Sequence, residues 1–416
     1  MFIVISFSVF LISLVVMLSS LLFSVGVNSF SISSWLVISD YFLFDSISFY
    51  LVFLVVVLGF YSQVLLYNGL VSSSRVYLGL SLCFTVISFC INHSVIFWLT
   101  YELSMLPLLY LIFKDSPYSE RFLAGWYFLG YLMVTSLPLI LVLLYLSYVN
   151  NSFLFSDWLL GDDSLKVVYY LLSFIFFTKV PLFPFHTWLP IVHAEASSIV
   201  SIFLSGYIMK LGLLGVYRCT FFVFDINFII YIFVCCVVSV CFFIVSCSEL
   251  DGKRWLAFLS LSHIVVPFLC FFVCDWSSIS YSFFYCLGHG LSAGIVFGLL
   301  WCIYDISNTR NWVLLKSSIS DVNFMLIVIV SLLSLCSFPP TVQFFCEVNL
   351  IGWCVNILLY ILFWFFYLFF GGLVPLILCG HLLIRSEWYC AYSLMYSYFF
   401  FLVFLCGWVY LGFVVL

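Results

Sequence analysis

The sequence predicts an all-α polytopic membrane protein, and three observations carry that expectation. Of 416 residues, 66% are hydrophobic and 7% are charged, against about 25% charged in an average soluble protein. Apolar stretches run unbroken for about 20 residues, the length of a helix that crosses a bilayer, whereas a transmembrane barrel would alternate polar and apolar residues. Basic residues gather in alternate connections, as the positive-inside rule requires of a helical bundle.

Taken in order, the hydropathy pattern gives about thirteen spans, at roughly 2–25, 47–67, 74–92, 94–113, 122–149, 164–188, 198–218, 226–247, 254–275, 279–303, 322–350, 353–379 and 391–415. The uncharged first stretch lacks the basic region of a secretory signal and the arginines of a mitochondrial transit peptide. That first helix is therefore expected to stay in the mature protein. Connections are short apart from those near 26–46, 150–163 and 304–321, so neighbouring spans are expected to be antiparallel. Loops after even-numbered spans hold Arg75, Lys114, Arg121, Lys253, Arg254, Arg310, Lys316 and Arg385, whereas those after odd-numbered spans hold only Lys166 and Arg218. This places the N-terminus on the inner (matrix or cytoplasmic) side and the C-terminus on the outer side.

Two spans are interrupted. Span six contains TKVPLFPFHTWLP, with Pro181, Pro184 and Pro190, and span eleven contains SLCSFPPTVQFFCE, with Pro339 and Pro340. Proline removes a backbone donor and breaks or kinks a helix. Freed carbonyls survive at membrane depth only inside protein or beside a wet cavity. Broken helices at matching positions in two halves are the mark of an inverted-repeat transporter. The expected division is 1–73 as peripheral N-terminal helices, 74–218 and 226–379 as two inverted five-helix repeats, and 391–416 as a C-terminal helix.

The chemistry should lie in the few polar groups that sit deep in these spans. A charge at the bilayer centre costs roughly 2.5–3.5 kcal/mol on insertion scales, and such groups usually mark ion or proton routes. Glu102, Lys179, Lys210 and Glu347 are so placed, and only six lysines exist in the chain. Lys210 lies more than ten residues, about 15 Å of rise, inside its span, too deep to snorkel easily to the interface. Its neighbours Gly206, Gly212 and Gly215 allow close helix packing and are expected to leave room for water around the ammonium. Glu102 stays ionised only beside a cation, which Lys179 or Lys210 could supply. The bland alternative is a static interhelical ion pair.

His263 and His289 are similarly deep, and imidazole can donate, accept and titrate near neutrality. Either could instead be an ordinary hydrogen-bonding helix contact. In line with the lysines and glutamates they suggest a polar wire, with Ser205, Ser262, Ser292 and Thr178 hydroxyls and water filling the gaps. His186 and His193, in and after the break, could support the bend. His93 and His381 are interfacial, and Asp45 is most simply the N-cap of span two.

Magnitudes allow such groups to move a proton. One charge against 100 mV costs about 2.3 kcal/mol, or about 3.5 kcal/mol at about 150 mV. Two charges about 4 Å apart at an effective dielectric of about 20 interact by about 4 kcal/mol. Making or breaking one Glu–Lys pair therefore suffices. Nothing in the sequence could power the change. There is no phosphate-binding glycine loop and no haem, iron–sulfur or zinc ligand pattern, and the 17 cysteines read as small hydrophobes. No cofactor is expected in the chain. The frequent Phe, Cys and Trp and scarce Lys are a compositional hint of an organellar genome.

The stretch KVPLFPFHTWLPIVHAEASSIVSIFLSGYIMKLGLLG, with YELSMLPLLYLIF, KRWLAFLSLSHIVV, GHGLSA and FPPTVQFFCE in order, resembles the chain 4 family of mitochondrial NADH:ubiquinone oxidoreductase. The resemblance implies an antiporter-like, proton-pumping subunit of respiratory complex I in the mitochondrial inner membrane, partnered by other membrane-arm subunits and lipid. NADH, flavin, iron–sulfur and ubiquinone sites would then belong to other subunits. It further implies that Glu102 pairs with Lys179 as a switching ion pair, that Lys210 is the central proton carrier, and that His263 and His289 lead through water to Glu347. Two departures stand out. Ser197 replaces the family's proline, which leaves the turn into span seven open, and thirteen spans are expected where the family usually has fourteen, the difference being expected at the N-terminal end. A stand-alone cation/proton antiporter and a structural membrane scaffold are the competing expectations.

Overall fold

A computed structural model of the chain describes residues 36–39, 41–66, 69–158, 165–220, 228–274, 279–315, 322–384 and 395–415. The expected first span, 2–25, lies outside them. A small antiparallel hairpin, β1 (Leu36–Ser39) and β2 (Phe42–Phe44), precedes the helices. It sits in what the hydropathy pattern treated as plain connection; the runs LVIS and FLF are too short for a helix and rich enough in β-formers to pair. Helix α1 (Ser46–Leu65) follows. Asp45 is its N-cap, accepting from the Ser48 amide at 2.7 Å, as expected.

Two series of elements come next, in the same order. The first is α2 (Ser72–Cys90), α3 (Ser94–Asp115), α4 (Arg121–Val149), the broken pair α5 (Lys166–Lys179) and α6 (Trp188–Glu195), and a fifth element. That fifth element is α7 (Ser198–Phe203), a π turn at Leu204–Ile208, and α8 (Met209–Thr220). The second series is α9 (Ile229–Ser248), α10 (Gly252–His263) continued by α11 (Val265–Val273), α12 (Ser280–Ser307), the broken pair α13 (Val322–Leu335) and α14 (Val342–Cys354), and α15 (Leu358–Leu383). Helix α16 (Met395–Val415) closes the described chain. Five crossings are an odd number, so the second series starts from the opposite end of the bundle, which makes the repeat inverted.

Among the described residues nine helices are long and apolar enough to cross a membrane. The two broken pairs, whose segments are 14, 8, 14 and 13 residues long, account for two further expected spans, and α16, 21 residues long, for another.

Burial sorts the spans into a centre and a rim. The most apolar windows of Ser198–Thr220, Ser280–Ser307 and Gly252–Val273 are 100%, 94% and 83% buried, whereas those of Arg121–Val149 and Ile229–Ser248 are 31% and 39% buried. The three central spans are the ones that carry Lys210, His289 and His263, so protein surrounds these groups on all sides while the rim helices turn large apolar side chains outward.

Close approach at the centre depends on small residues. A Cβ on Gly212 would fall 2.4 Å from Val180 Cγ2, and one on Gly215 would fall 2.4 Å from Phe176 Cε1. The space at these glycines is therefore filled by α5 side chains. The expectation that they leave room for water around Lys210 is not met at Gly212 and Gly215, because apolar packing claims the volume first. Gly212→Ala should cost about 1–3 kcal/mol, the usual penalty of overpacking. It should lower the melting temperature of the purified protein, and adding Val180→Ala should restore most of the loss; equal melting of all three would contradict this packing.

Candidate functional site

The first break begins where Pro181 and Pro184 withdraw two backbone donors. The exposed carbonyls are met from elsewhere. The Trp188 indole donates to Thr178 O at 3.1 Å and the Tyr231 hydroxyl donates to Phe183 O at 2.7 Å. His186 stands in the break with its ring 4.7 Å from that of Phe242, a supporting contact. The turn after α6 holds Ser197 at φ −60° and ψ 150°. Proline would fix nearly the same φ, so the substitution leaves the backbone path unchanged.

The last residue of α5, Lys179, lies against Glu102 on α3. Its Nζ donates to Glu102 Oε1 at 2.7 Å, and both residues are buried. The Tyr101 ring lies 4.3 Å from the same ammonium. Glu102 Oε2, by contrast, is buried with no hydrogen-bond partner among the described residues. The resemblance paired these two residues, and the structure brings them together.

Lys210 is fully buried. It stands two residues after the π turn, and its Nζ donates to the Ser205 carbonyl at 2.5 Å. π turns loosen the regular helical ladder and recur at functional sites; here one presents a carbonyl dipole to a lone cation. Lys210 lies within electrostatic range of His193, His263 and His289. The His263 and His289 rings are 5.3 Å apart. Among the described residues, His289 has both ring nitrogens buried and unpartnered, as has His193, and His263 has Nε2 so. The unpartnered nitrogens of His289 and His263 come from helices packed side by side, α12 and α10.

Beyond His263 the row continues through groups that sequence reasoning missed. His263 Nδ1 lies 2.5 Å from the Tyr367 hydroxyl and 3.2 Å from that of Tyr285, and the two hydroxyls are 3.0 Å apart. The Tyr285 hydroxyl donates to Glu347 Oε1 at 3.4 Å. Ser337, in the second break just before Pro339 and Pro340, donates to the same oxygen at 2.9 Å. Tyr285 had a legible signal, since it stands one helical turn before His289 and so shares its face. Tyr367 had none: it is one of 27 tyrosines, in a span with no other deep polar group nearby.

The serine and threonine hydroxyls expected to fill the gaps do not. Ser205, Ser262, Ser292 and Thr178 each donate to a carbonyl three or four residues earlier in their own helices. A helical hydroxyl finds that local acceptor before any distant one.

Two broken-helix series enclosing a buried row of acid, base and phenol groups define an antiporter-like, multi-pass membrane protein. The family model for the NADH:quinone oxidoreductase/Mrp antiporter transmembrane region matches residues 92–373, and the chain belongs to that family. It is similar to NADH-ubiquinone oxidoreductase chain 4 of Rhipicephalus sanguineus, 32% identical over 254 residues, covering 59% of this chain and 57% of the relative. The corresponding chain of Locusta migratoria is 29% identical over 291 residues, covering 65% and 63%. The chain thus matches about three fifths of the length of these relatives. The fold resembles a chain of respiratory complex I from Thermus thermophilus, with TM-score 0.80 and 19% identity over 89% of this chain and 81% of that one. It also resembles a chain of the Mrp complex from Dietzia sp., with TM-score 0.72 and 16% identity over 91% and 74%.

The ion pair has a distinctive energetic signature. Removing one partner of a buried pair typically costs about 3–5 kcal/mol, while replacing both with apolar or neutral groups is often nearly neutral. Glu102→Gln or Lys179→Met alone should lower the thermal stability of the membrane-extracted protein, and the double variant should recover most of it. Additive losses in the double variant would show the two side chains to be energetically independent.

Proposed function

We propose that the chain is a proton-translocating membrane-arm subunit of mitochondrial complex I. It would sit in the inner membrane with its N-terminus toward the matrix and its C-terminus toward the intermembrane space. Residues 74–218 and 226–379 act as its two halves. Redox energy enters from other subunits, which hold NADH, flavin, iron–sulfur clusters and ubiquinone. The observation that carries this reading is the unbroken contact row from His263 through the Tyr367 and Tyr285 hydroxyls to Glu347, beside a buried Lys210.

The steps follow from the chemistry of the side chains. Opening the Glu102–Lys179 pair changes the field at Lys210. The Lys210 ammonium gives a proton, across water, to a histidine nitrogen that has no partner among the described residues. The imidazolium of His263 then passes a proton to a phenol oxygen as that phenol donates its own toward the Glu347 carboxylate, and Glu347 releases it on the outer side. Each tyrosine ends with the proton count it began with, so the phenols carry no net charge.

A second reading, a stand-alone cation/proton antiporter, is favoured by the likeness to a chain of the Mrp complex. Purification separates the two, since a partner-free chain that exchanges cations for protons in vesicles would support the antiporter. The decisive test of the pump is Lys210→Met. It should leave assembly intact and abolish most proton-coupled turnover, measured as quinone reduction with acidification of vesicles. Near-normal coupled activity would defeat the assignment. Tyr367→Phe alone should be milder than Tyr285→Phe with Tyr367→Phe, because Tyr285 still touches both His263 and Glu347. The double change should lower coupled turnover by about tenfold or more, as expected for loss of a positioned proton carrier.

A further inference from the structure

Three consecutive carbonyls at the C-terminal end of α6 each receive a side-chain donor from a different part of the chain. Arg310 donates to Ala194 O at 2.5 Å, the Ser116 hydroxyl donates to Glu195 O, and Lys253 Nζ donates to Ala196 O at 2.8 Å. A helix end leaves its last carbonyls without partners and carries negative partial charge there, which cations complement. Here two cations converge on one eight-residue half-helix.

The same two cations share an aromatic platform. The Arg310 guanidinium lies 3.9 Å, and Lys253 Nζ 5.1 Å, from the centre of the Tyr118 ring, within the range of a cation–π contact. Arg310 also stands 3.5 Å from Asp251 and 3.9 Å from Glu195. The segments that bear the cations are joined to each other by backbone bonds, from Gly252 N to Arg310 O and from Trp312 N to Leu250 O, both at 3.0 Å. They therefore form one block that belongs to the second series, while the half-helix they hold belongs to the first.

What α6 carries gives the contact its meaning. His193 sits in its last turn, fully buried and stacked at 5.0 Å on Phe297 of α12, with no hydrogen-bond partner for either nitrogen among the described residues. It lies within electrostatic range of both Lys210 and Lys253.

We infer that Tyr118, Arg310 and Lys253 form a clamp by which the second series grips the C-terminal end of α6, and that the clamp sets where His193 stands relative to Lys210. Tyr118 and Arg310 are positioning residues that act through α6. The consequence for pumping rests on the proton relay proposed above; the clamp itself does not.

The test uses the assembled complex in native membrane vesicles and reads two quantities, amide hydrogen exchange at residues 192–198 and protons moved per electron. Tyr118→Leu and Arg310→Gln should raise exchange at the Ala196 amide by about three- to tenfold, the worth of one lost hydrogen bond. They should also lower the proton-to-electron ratio. Tyr118→Phe, which keeps the ring, and Arg310→Lys, which keeps the charge, should stay near the parent in both. Unchanged exchange in Tyr118→Leu and Arg310→Gln overturns the clamp, as does a Tyr118→Phe variant that behaves like Tyr118→Leu. Raised exchange with an unchanged ratio overturns the link to His193. If the larger changes prevent assembly, Lys253→Met, which removes the clamp's donor to Ala196 O, decides by exchange alone: a rise supports the clamp and no rise refutes it. A Lys210→Met variant measured in parallel reports on the relay independently of the clamp.

Discussion

A charge held away from water must be met by another charge or by oriented dipoles, and the interior of this protein is arranged around that demand. Lys179 meets it with a carboxylate at 2.7 Å and an aromatic face. Lys210 has no carboxylate within salt-bridge distance among the described residues. It is met instead by a backbone carbonyl that the π turn brings to it. Glu347 is met by two hydroxyls, from Tyr285 and Ser337. Each solution is partial, and under the proposed relay partial solvation suits a group that gains and loses a proton. A fully neutralised pair would hold its proton state; an unsolvated charge would not form.

The same demand governs the backbone. Both broken helices expose carbonyls at a depth where lipid offers no donor, and in the first break an indole from the second half of the same helix and a phenol from a neighbouring one supply the missing bonds. The breaks and the charged groups are thus parts of one arrangement. The first break directly follows Lys179, and the second directly precedes the helix that bears Glu347.

Much of this was legible beforehand because it depends on local pattern. Proline pairs in apolar runs can only be breaks, and a lysine twelve residues into an apolar helix cannot reach the interface. Glu102, Lys179, Lys210, His263, His289 and Glu347 all proved to be buried. The links between them were less legible. The serines next to these residues in sequence were expected to join them, yet their hydroxyls turn back on their own helices. Tyr285 and Tyr367 join His263 to Glu347, and Tyr367 comes from a span about a hundred residues beyond His263 along the chain. Likewise the glycines around Lys210 promised space, and the side chains of Val180 and Phe176 occupy it.

By itself the sequence determined that the chain crosses a membrane many times, where its helices break and which ionisable groups are sunk in the apolar interior. These follow from composition and one-dimensional spacing, because a hydrocarbon solvent penalises every polar atom according to depth along the chain. Which of those groups touch was decided only by the tertiary structure. Hydrogen bonds act over about 3 Å and depend on helix rotation and packing distance, quantities that residues far apart in the sequence settle jointly.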